Sequence, residues 1–501
     1  MPNRNTTARR ALWLCAAPAA LMASVSAHAA DVPAGDAGIK TITDFIAAYA
    51  GKAAAPTIKV TPQGSSYLVT LDLGAATAAL KPTGFTYDPA QLEARVFQQD
   101  DGAWRIDQAG IPPITGHMQL PEARGGGKID AHVEVSKLNA TTVIDPKLGW
   151  IASGHGAADK VTVVENGPGI EEYLEFSQLK YEASTKPANP GLTTTLNEPV
   201  GGLSIVVDLD PKGLDPKTKA PAKPVHISAK GENGVVNVAM KDFQPAPLLD
   251  AWRFAVAHPE RADYARDFDA LKSIVGAVIA DRLTIEETFA LEKLSFNTET
   301  GPVTVEGGKF AVGGVNAGAD SGFSEHFSAR ALKLPDGMVP SMYAAVIPTA
   351  FDIGFKATGF DVPSAAQEWF ADAKLAGDGP VLSPEDQSKV SAKLMQSRPI
   401  VVDIEPSHLT APSLDIAFEG KVTIESGKPY GAITIKVRDF DKTAQAVQAL
   451  GQDAQQKLVP MIAMAKGLGK QNPDGTMVWV GELGRDHVMK INGLPLGKSP
   501  M

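Results

Sequence analysis

The sequence predicts an α+β, β-dominated fold: a long curved antiparallel sheet built from repeated strand-Asp-Phe-helix units, with helices covering one face or the ends. Three observations carry this. Period-two alternation of apolar and polar residues dominates the chain, as in strands with one buried and one wet face. Glycine and proline are frequent, at 47 and 37 residues, which supplies the many turns such a sheet needs. Helical periodicity is confined to a few local segments.

The strands come first. Tyr67, Val69, Leu71 and Leu73 share one face of a segment whose other face carries Leu68, Thr70 and Asp72. Ile129 to Val135 is apolar at odd positions and mostly polar at even ones. Leu203, Ile205 and Val207 repeat the pattern, as do Leu414, Ile416 and Phe418, and then Ile433, Ile435 and Val437. Among helices, residues 262–282 place Phe268, Leu271, Ile274, Val275, Val278 and Ile279 at spacings of three and four, an amphipathic stripe. Residues 441–468 read as helix, broken near Pro460. Ser383 is an N-cap with Pro384 in the first turn that follows.

The chain opens as a secretory signal peptide would. Arg4, Arg9 and Arg10 precede an uncharged apolar stretch from Ala11 to Val25, and Ala27-His28-Ala29 offers small residues at the two positions a signal peptidase reads. The apolar stretch is shorter than the roughly 20 residues of a membrane-spanning helix. Cleavage is expected after Ala29 or Ala30, with periplasmic localisation. The Arg9-Arg10 pair is followed by Ala11-Leu12-Trp13, a poor twin-arginine match. Leu14 before Cys15 is a poor lipoprotein match. Cys15 is the single cysteine, so the mature chain would have no disulfide, thiolate metal site or cysteine nucleophile. The formal charge is −10, and loss of three presequence arginines would bring it to −13. That balance disfavours nucleic acid and anionic membranes as partners. The longest later apolar run, Met342 to Phe351, is interrupted by Pro348, so no transmembrane segment is expected in the mature chain. The Lys- and Pro-rich stretch 209–224 reads as a long exposed hairpin loop or as the boundary between an N-terminal β-rich region (30–209) and a C-terminal α+β region (225–501).

One unit recurs: a strand, an acid or glycine before phenylalanine, then a helix. It reads Val235 to Lys241, Asp242-Phe243, then Leu248, Leu249 and Trp252. It reads again as Ile353 to Thr358, Gly359-Phe360-Asp361, then Ala365, Ala366 and Trp369. The third copy is Ile433 to Arg438, Asp439-Phe440-Asp441, then Val447 and Leu450. The structural expectation is that each Phe plugs a strand end while the helix folds back on the apolar face. The functional expectation makes Phe243, Trp252, Phe360, Trp369 and Phe440 candidates for lining a ligand groove.

These units, the stretch Ala331-Leu332-Lys333-Leu334-Pro335 before an expected helix, and the ending Lys490-Ile491-Asn492-Gly493-Leu494-Pro495-Leu496-Gly497 resemble the bacterial envelope family catalogued as domain of unknown function 2125 (DUF2125). The resemblance implies an envelope location and no catalytic residue. A looser similarity links such chains to AsmA-like proteins, which implies long sheets whose apolar inner faces suit lipid.

No catalytic, cofactor or metal motif emerges. The eight histidines after the presequence are all more than five residues apart, so none forms a helical metal pair. Gly202-Leu203-Ser204-Ile205-Val206 lacks the second glycine of a nucleophile elbow. Ser324, Glu325 and His326 are consecutive on an expected strand, where neighbours point to opposite faces. Gly493 to Ser499 has three residues between its glycines where a phosphate loop needs four, and no helix follows. Gly125-Gly126-Gly127 is a turn before a strand, not a dinucleotide loop. Asp439/Asp441 and Glu171/Glu172 are carboxylate pairs without EF-hand spacing. Three functions follow in order: binding of lipid or another hydrophobic ligand, a structural role docking other envelope proteins, and a hydrolase with a dispersed site.

Overall fold

The structure, a computed structural model, describes residues 31–80, 85–120, 127–209, 224–258, 261–375, 380–448 and 452–498. The signal-peptide segment, nearly all of the 209–224 stretch, Gly125, Gly126 and Leu450 lie outside the described residues. The fold is β-dominated, with 56% strand against 25% helix, and every strand pair with a described register is antiparallel. The chain divides into two compact units: residues up to Ser228 with Val235–Ile274, and Ala229–Gly234 with Val275 onward. Residues 235–274 thus group with the N-terminal unit.

Unit 1 begins with helix α1 (Asp36–Ala54), the hairpin β1 (Ile58–Gln63) and β2 (Ser66–Asp72), and helix α2 (Leu73–Leu80). Leu73, expected on the strand, starts the helix instead. Then come β3 (Phe85–Tyr87), β4 (Gln91–Gln98), β5 (Trp104–Ala109), β6 (Ile114–Gln119), β7 (Lys128–Ser136) and β8 (Asn139–Asp145). Three long strands follow: β9 (Trp150–Gly167), β10 (Ile170–Pro187) and β11 (Leu192–Leu209). The unit ends with β12 (Val225–Phe243), α3 (Pro245–Ala257) and α4 (Arg261–Arg266).

The sheet of unit 1 forks at β9. One edge pairs with β10 along its length. The other is shared, its first half by β8 and its second half by β7. From β8 the pairing continues through β5, β4, β2 and β1; from β7 it continues through β6 and β3. α1 packs on the first arm, where Ile42, Tyr67, Val96 and Ile106 form a core. Tyr67 is 1% exposed, and its hydroxyl accepts from Gly35 N–H at 2.9 Å. A Cβ on Gly38 would collide with that phenol ring, so glycine lets α1 approach the sheet. At the other end of α1, Gly51 has φ +82°, which breaks the helix.

Helix α5 (Phe268–Ala280) is separate from α4, so the single helix expected over 262–282 is two. The apolar stripe is as read: Phe268, Leu271, Ile274, Val275, Val278 and Ile279 are half-buried, while most residues between them are exposed.

Unit 2 runs β13 (Leu283–Thr298), β14 (Gly301–Asn316), β15 (Ser321–Arg330) and β16 (Ala350–Phe360), then helices α6 (Val362–Asp372) and α7 (Pro384–Gln396). β17 (Ile400–Ala411), β18 (Leu414–Glu425) and β19 (Lys428–Arg438) come next. Helices α8 (Phe440–Gln448) and α9 (Gln452–Leu468) precede β20 (Lys470–Gln471), β21 (Met477–Leu483), β22 (Val488–Ile491) and β23 (Leu494–Lys498). β13 to β19 pair consecutively, and β21 adds to β19. Two expectations are corrected. Pro460 lies inside α9 rather than breaking it. After Pro335 the chain forms turns and a short 3-10 segment, Ser341–Tyr343, not a full helix. Ser383 caps α7 as expected: its Oγ accepts from Asp386 N–H at 3.1 Å.

β17 holds one more residue than either neighbour between Ile404 and Ser407 or His408. The extra residue falls at Glu405-Pro406, and proline suits a bulge because it has no N–H to leave unpaired. The bulge switches parity. Ile400, Val402 and Ile404 precede it on one face, and Ser407, Leu409 and Ala411 continue on that same face after it.

Candidate ligand-binding face

Directly opposed residues in an antiparallel pair point the same way, so the registers sort the side chains of unit 2 onto two faces. On one, Phe310 opposes both Phe289 and Phe327, and Phe327 opposes Ile353. A second row runs from Phe323 through Ala357 and Val402 to Val422. Further along, Ile435 opposes Phe418 and Trp479. The other face is polar and laced with ion pairs: His326–Asp352 at 2.7 Å, Lys436–Glu419 at 2.8 Å, Lys421–Asp403 and Arg438–Asp415 at 3.4 Å. These pairs are exposed, so each adds little stability.

The apolar face is not sealed. Phe310, Phe323 and Phe327 are 39–41% exposed, and Ile285 and Ile435 are 39% and 40% exposed. The rings nonetheless pack on one another. Phe310 and Phe327 have centroids 4.9 Å apart, and Phe323 lies 6.1 Å from Phe355 and 5.7 Å from Phe360. A clustered aromatic row at this exposure differs from scattered surface hydrophobics, which are ordinary. Two acids interrupt it: Glu287 and Glu325, which both oppose Val312.

The five groove candidates fall in different settings. Phe360 is half-buried and joins the aromatic row through Phe323. Phe243 is 1% exposed and meets Trp150 edge-on at 4.8 Å. Phe440 is buried against Trp479 at 5.4 Å. Trp369, half-buried, meets Phe370 edge-on at 5.0 Å. Trp252 is 54% exposed on α3. Phe243 and Trp252 belong to unit 1 and the other three to unit 2. Phe243 and Phe440 are therefore buried in the cores of their units.

What sequence reasoning missed is the row Phe310, Phe323, Phe327 and Phe355. The signal was present: Phe323 and Phe327 are four apart on a strand and must share a face. The polar residues between them masked it.

Comparison with protein-family models, with curated proteins and with solved structures returned no match.

The consecutive Ser324, Glu325 and His326 sit on β15 with Glu325 on the opposite face from its neighbours, so they form no triad by adjacency. His326 instead faces two carboxylates, Asp352 at 2.7 Å and Glu405 at 3.7 Å. Asp441 pairs with Lys466 at 2.5 Å, and Asp439 takes φ +51°, a turn role. Among the described residues, no group of three or more His, Cys, Asp or Glu side chains is arranged to hold a metal ion. One histidine in unit 1 stands out. His117 Nδ1 faces Asp130 at 2.5 Å and Nε2 faces Asp88 at 2.9 Å. Both bonds are made at once only by the imidazolium, and the Asp130 and Asp88 hydrogen bonds raise its pKa above the ordinary histidine value.

Proposed function

We propose that this chain is an exported, periplasmic member of the envelope family it resembles, and that it binds lipid acyl chains or similar hydrophobic ligands on the open sheet face of unit 2. The observation that carries the reading is the aromatic row Phe310, Phe323, Phe327 and Phe355, the first three exposed and Phe355 half-buried, on a sheet whose other face is polar. Covering apolar surface yields about 25 cal/mol per Å², so an acyl chain laid on such a row gains affinity without any polar contact. The span also fits. Eight strands from β13 to β21 at about 4.8 Å spacing cover about 34 Å, more than the roughly 15 Å that one leaflet's acyl chains occupy in a bilayer. The strand-Asp-Phe-helix units serve this reading as end plugs of the sheet.

The test is binding of a neutral apolar fluorophore, N-phenyl-1-naphthylamine, to the purified mature protein, with mass spectrometry of organic extracts from protein isolated from its native envelope. Phe310→Glu with Phe327→Glu should weaken fluorophore binding at least tenfold, about 1.4 kcal/mol. Equal binding by wild type and variant, together with extracts free of lipid, would sink the proposal and favour a structural role.

A further inference from the structure

The apolar face has a polar corner. Helix α7 stands beside the Ile400–Ile424 end of β17 and β18, and the two border an open cavity of about 480 Å³. Ile400 and Ile424 oppose one another and belong to the same face as the aromatic row, through Val402, Ala357 and Phe323. The wall contributed by α7 is different in kind. Pro384, Ser388, Ser391 and Met395 recur at spacings of four and three, on one side of the helix, with Gln387 beside them. So a hydrocarbon wall from the sheet meets a wall of two hydroxyls and an amide, in a volume typical of small-molecule sites.

Among the described residues, the lining holds no charged side chain. Of the helix lysines beside it, Lys389 is engaged with Asp386 at 2.9 Å and with Asp372 at 3.5 Å. Gln387 donates to Leu382 O at 3.3 Å and Ser388 to Pro384 O at 2.9 Å, which leaves the amide oxygen and the hydroxyl lone pairs free to accept. An ionised head group would meet no charge within the lining itself, and an unpaired charge is costly to remove from water. The acids Glu287 and Glu325 stand on the apolar face beside the aromatic row and repel anions there. We infer that the cavity between α7 and the Ile400–Ile424 end of the sheet is the head-group subsite for an uncharged, hydroxyl-bearing single-chain lipid of the monoacylglycerol type, its acyl chain running out along the aromatic row. This rests on the reading of the sheet face as an acyl-binding surface.

The experiment is competition against N-phenyl-1-naphthylamine on the mature chain by four ligands of equal chain length: 1-oleoylglycerol, oleate, 1-oleoyl-lysophosphatidylglycerol and 1-octadecene. The neutral glycerol ester should displace the fluorophore at a concentration at least fivefold below the other three. Gln387→Leu with Ser388→Ala and Ser391→Ala should reduce that preference to less than twofold while the fluorophore's own affinity stays unchanged. Ser391→Trp, which fills the cavity from an exposed helix position, should do the same. Displacement by an anionic ligand or by the alkene at least as good as by the glycerol ester overturns the subsite and leaves the binding face standing. So does a preference that survives both variants. Absence of fluorophore binding to the wild type overturns both.

Discussion

Three side chains carry predictions of their own. His117 bridges Asp88 and Asp130 as an imidazolium, and its folded pKa is raised. The stability it contributes is fully present below about 6.5 and is lost as pH rises through the folded value. Thermal melts from pH 6 to 9 should therefore fall for the wild type and be flatter for His117→Gln. Asp386 behaves oppositely. The Ser383 hydroxyl first, then Lys389, pull its pKa down to about 2 from 3.8. Its contribution is present above pH 3.8 and is lost as pH falls through about 2. Ser383→Ala, which removes both the cap and that hydrogen bond, should cost about 1 kcal/mol at neutral pH, read from urea melts, and should weaken the acid dependence between those pH values. Thr142 is 1% exposed and its hydroxyl has no partner among the described residues. Thr142→Val keeps the shape and removes an unsatisfied group, so urea melts should show stabilisation by about 1 kcal/mol.

At the scale of elements, the ends of three strands share a backbone device. Asp242, Gly359 and Asp439 take φ +57°, +99° and +51°, and a phenylalanine follows each directly. A left-handed residue turns the chain sharply, placing Phe243 and Phe440 in the core while the next residues enter α3 and α8. Aspartate and glycine tolerate that region; β-branched residues do not. Asp439→Val should destabilise unit 2 by about 1–2 kcal/mol, whereas Asp439→Gly should be near neutral. The β17 bulge is the other decisive element. Ser407 is 2% exposed; its hydroxyl accepts from Gly354 N–H at 3.2 Å and donates to Glu405 O at 2.8 Å, replacing ladder bonds that the extra residue interrupts. Deleting Pro406 would leave Glu405 alone between Ile404 and Ser407, so plain alternation would keep Leu409 and Ala411 on the face they now share with Ile404. Urea unfolding of that deletion should therefore show a loss of only about 1 kcal/mol, the scale of one hydrogen bond at Ser407.

For the molecule as a whole, the open face of unit 2 sets stability against the binding proposed for it. Phe310 and Phe327 gain only part of their burial free energy in the free protein, because two fifths of each ring remains in water. Changing both to glutamate should therefore leave the melting temperature within a few degrees of wild type while improving solubility and abolishing capture of apolar fluorophores. A drop of more than about 10 °C would mean that these rings serve the core. No described helix is long and apolar enough to cross a membrane.

Much of this was written in the chain. Alternation alone placed β2, β7, β11, β18 and β19, because a half-buried strand must repeat every two residues. The stripe on α5 and the cap of α7 were equally local signals, and both appear where read. Other features depend on partners far away in sequence. The parity switch in β17 is invisible without its neighbours' registers. Asn492-Gly493, whose positive φ angles of +51° and +83° form the turn between β22 and β23, was legible as a hairpin pair yet passed as part of a family-like ending. The split edge of β9 is a matter of which strands arrive beside it. The sequence by itself determined that this protein is one-sided sheet, since side-chain period fixes which residues share a face. Only the tertiary structure decided which stretch of that face stays open, because burial depends on whether a helix folds back over it: α7 does so at Ile400 and Ile424, and α8 and α9 at Val437, Met477 and Trp479.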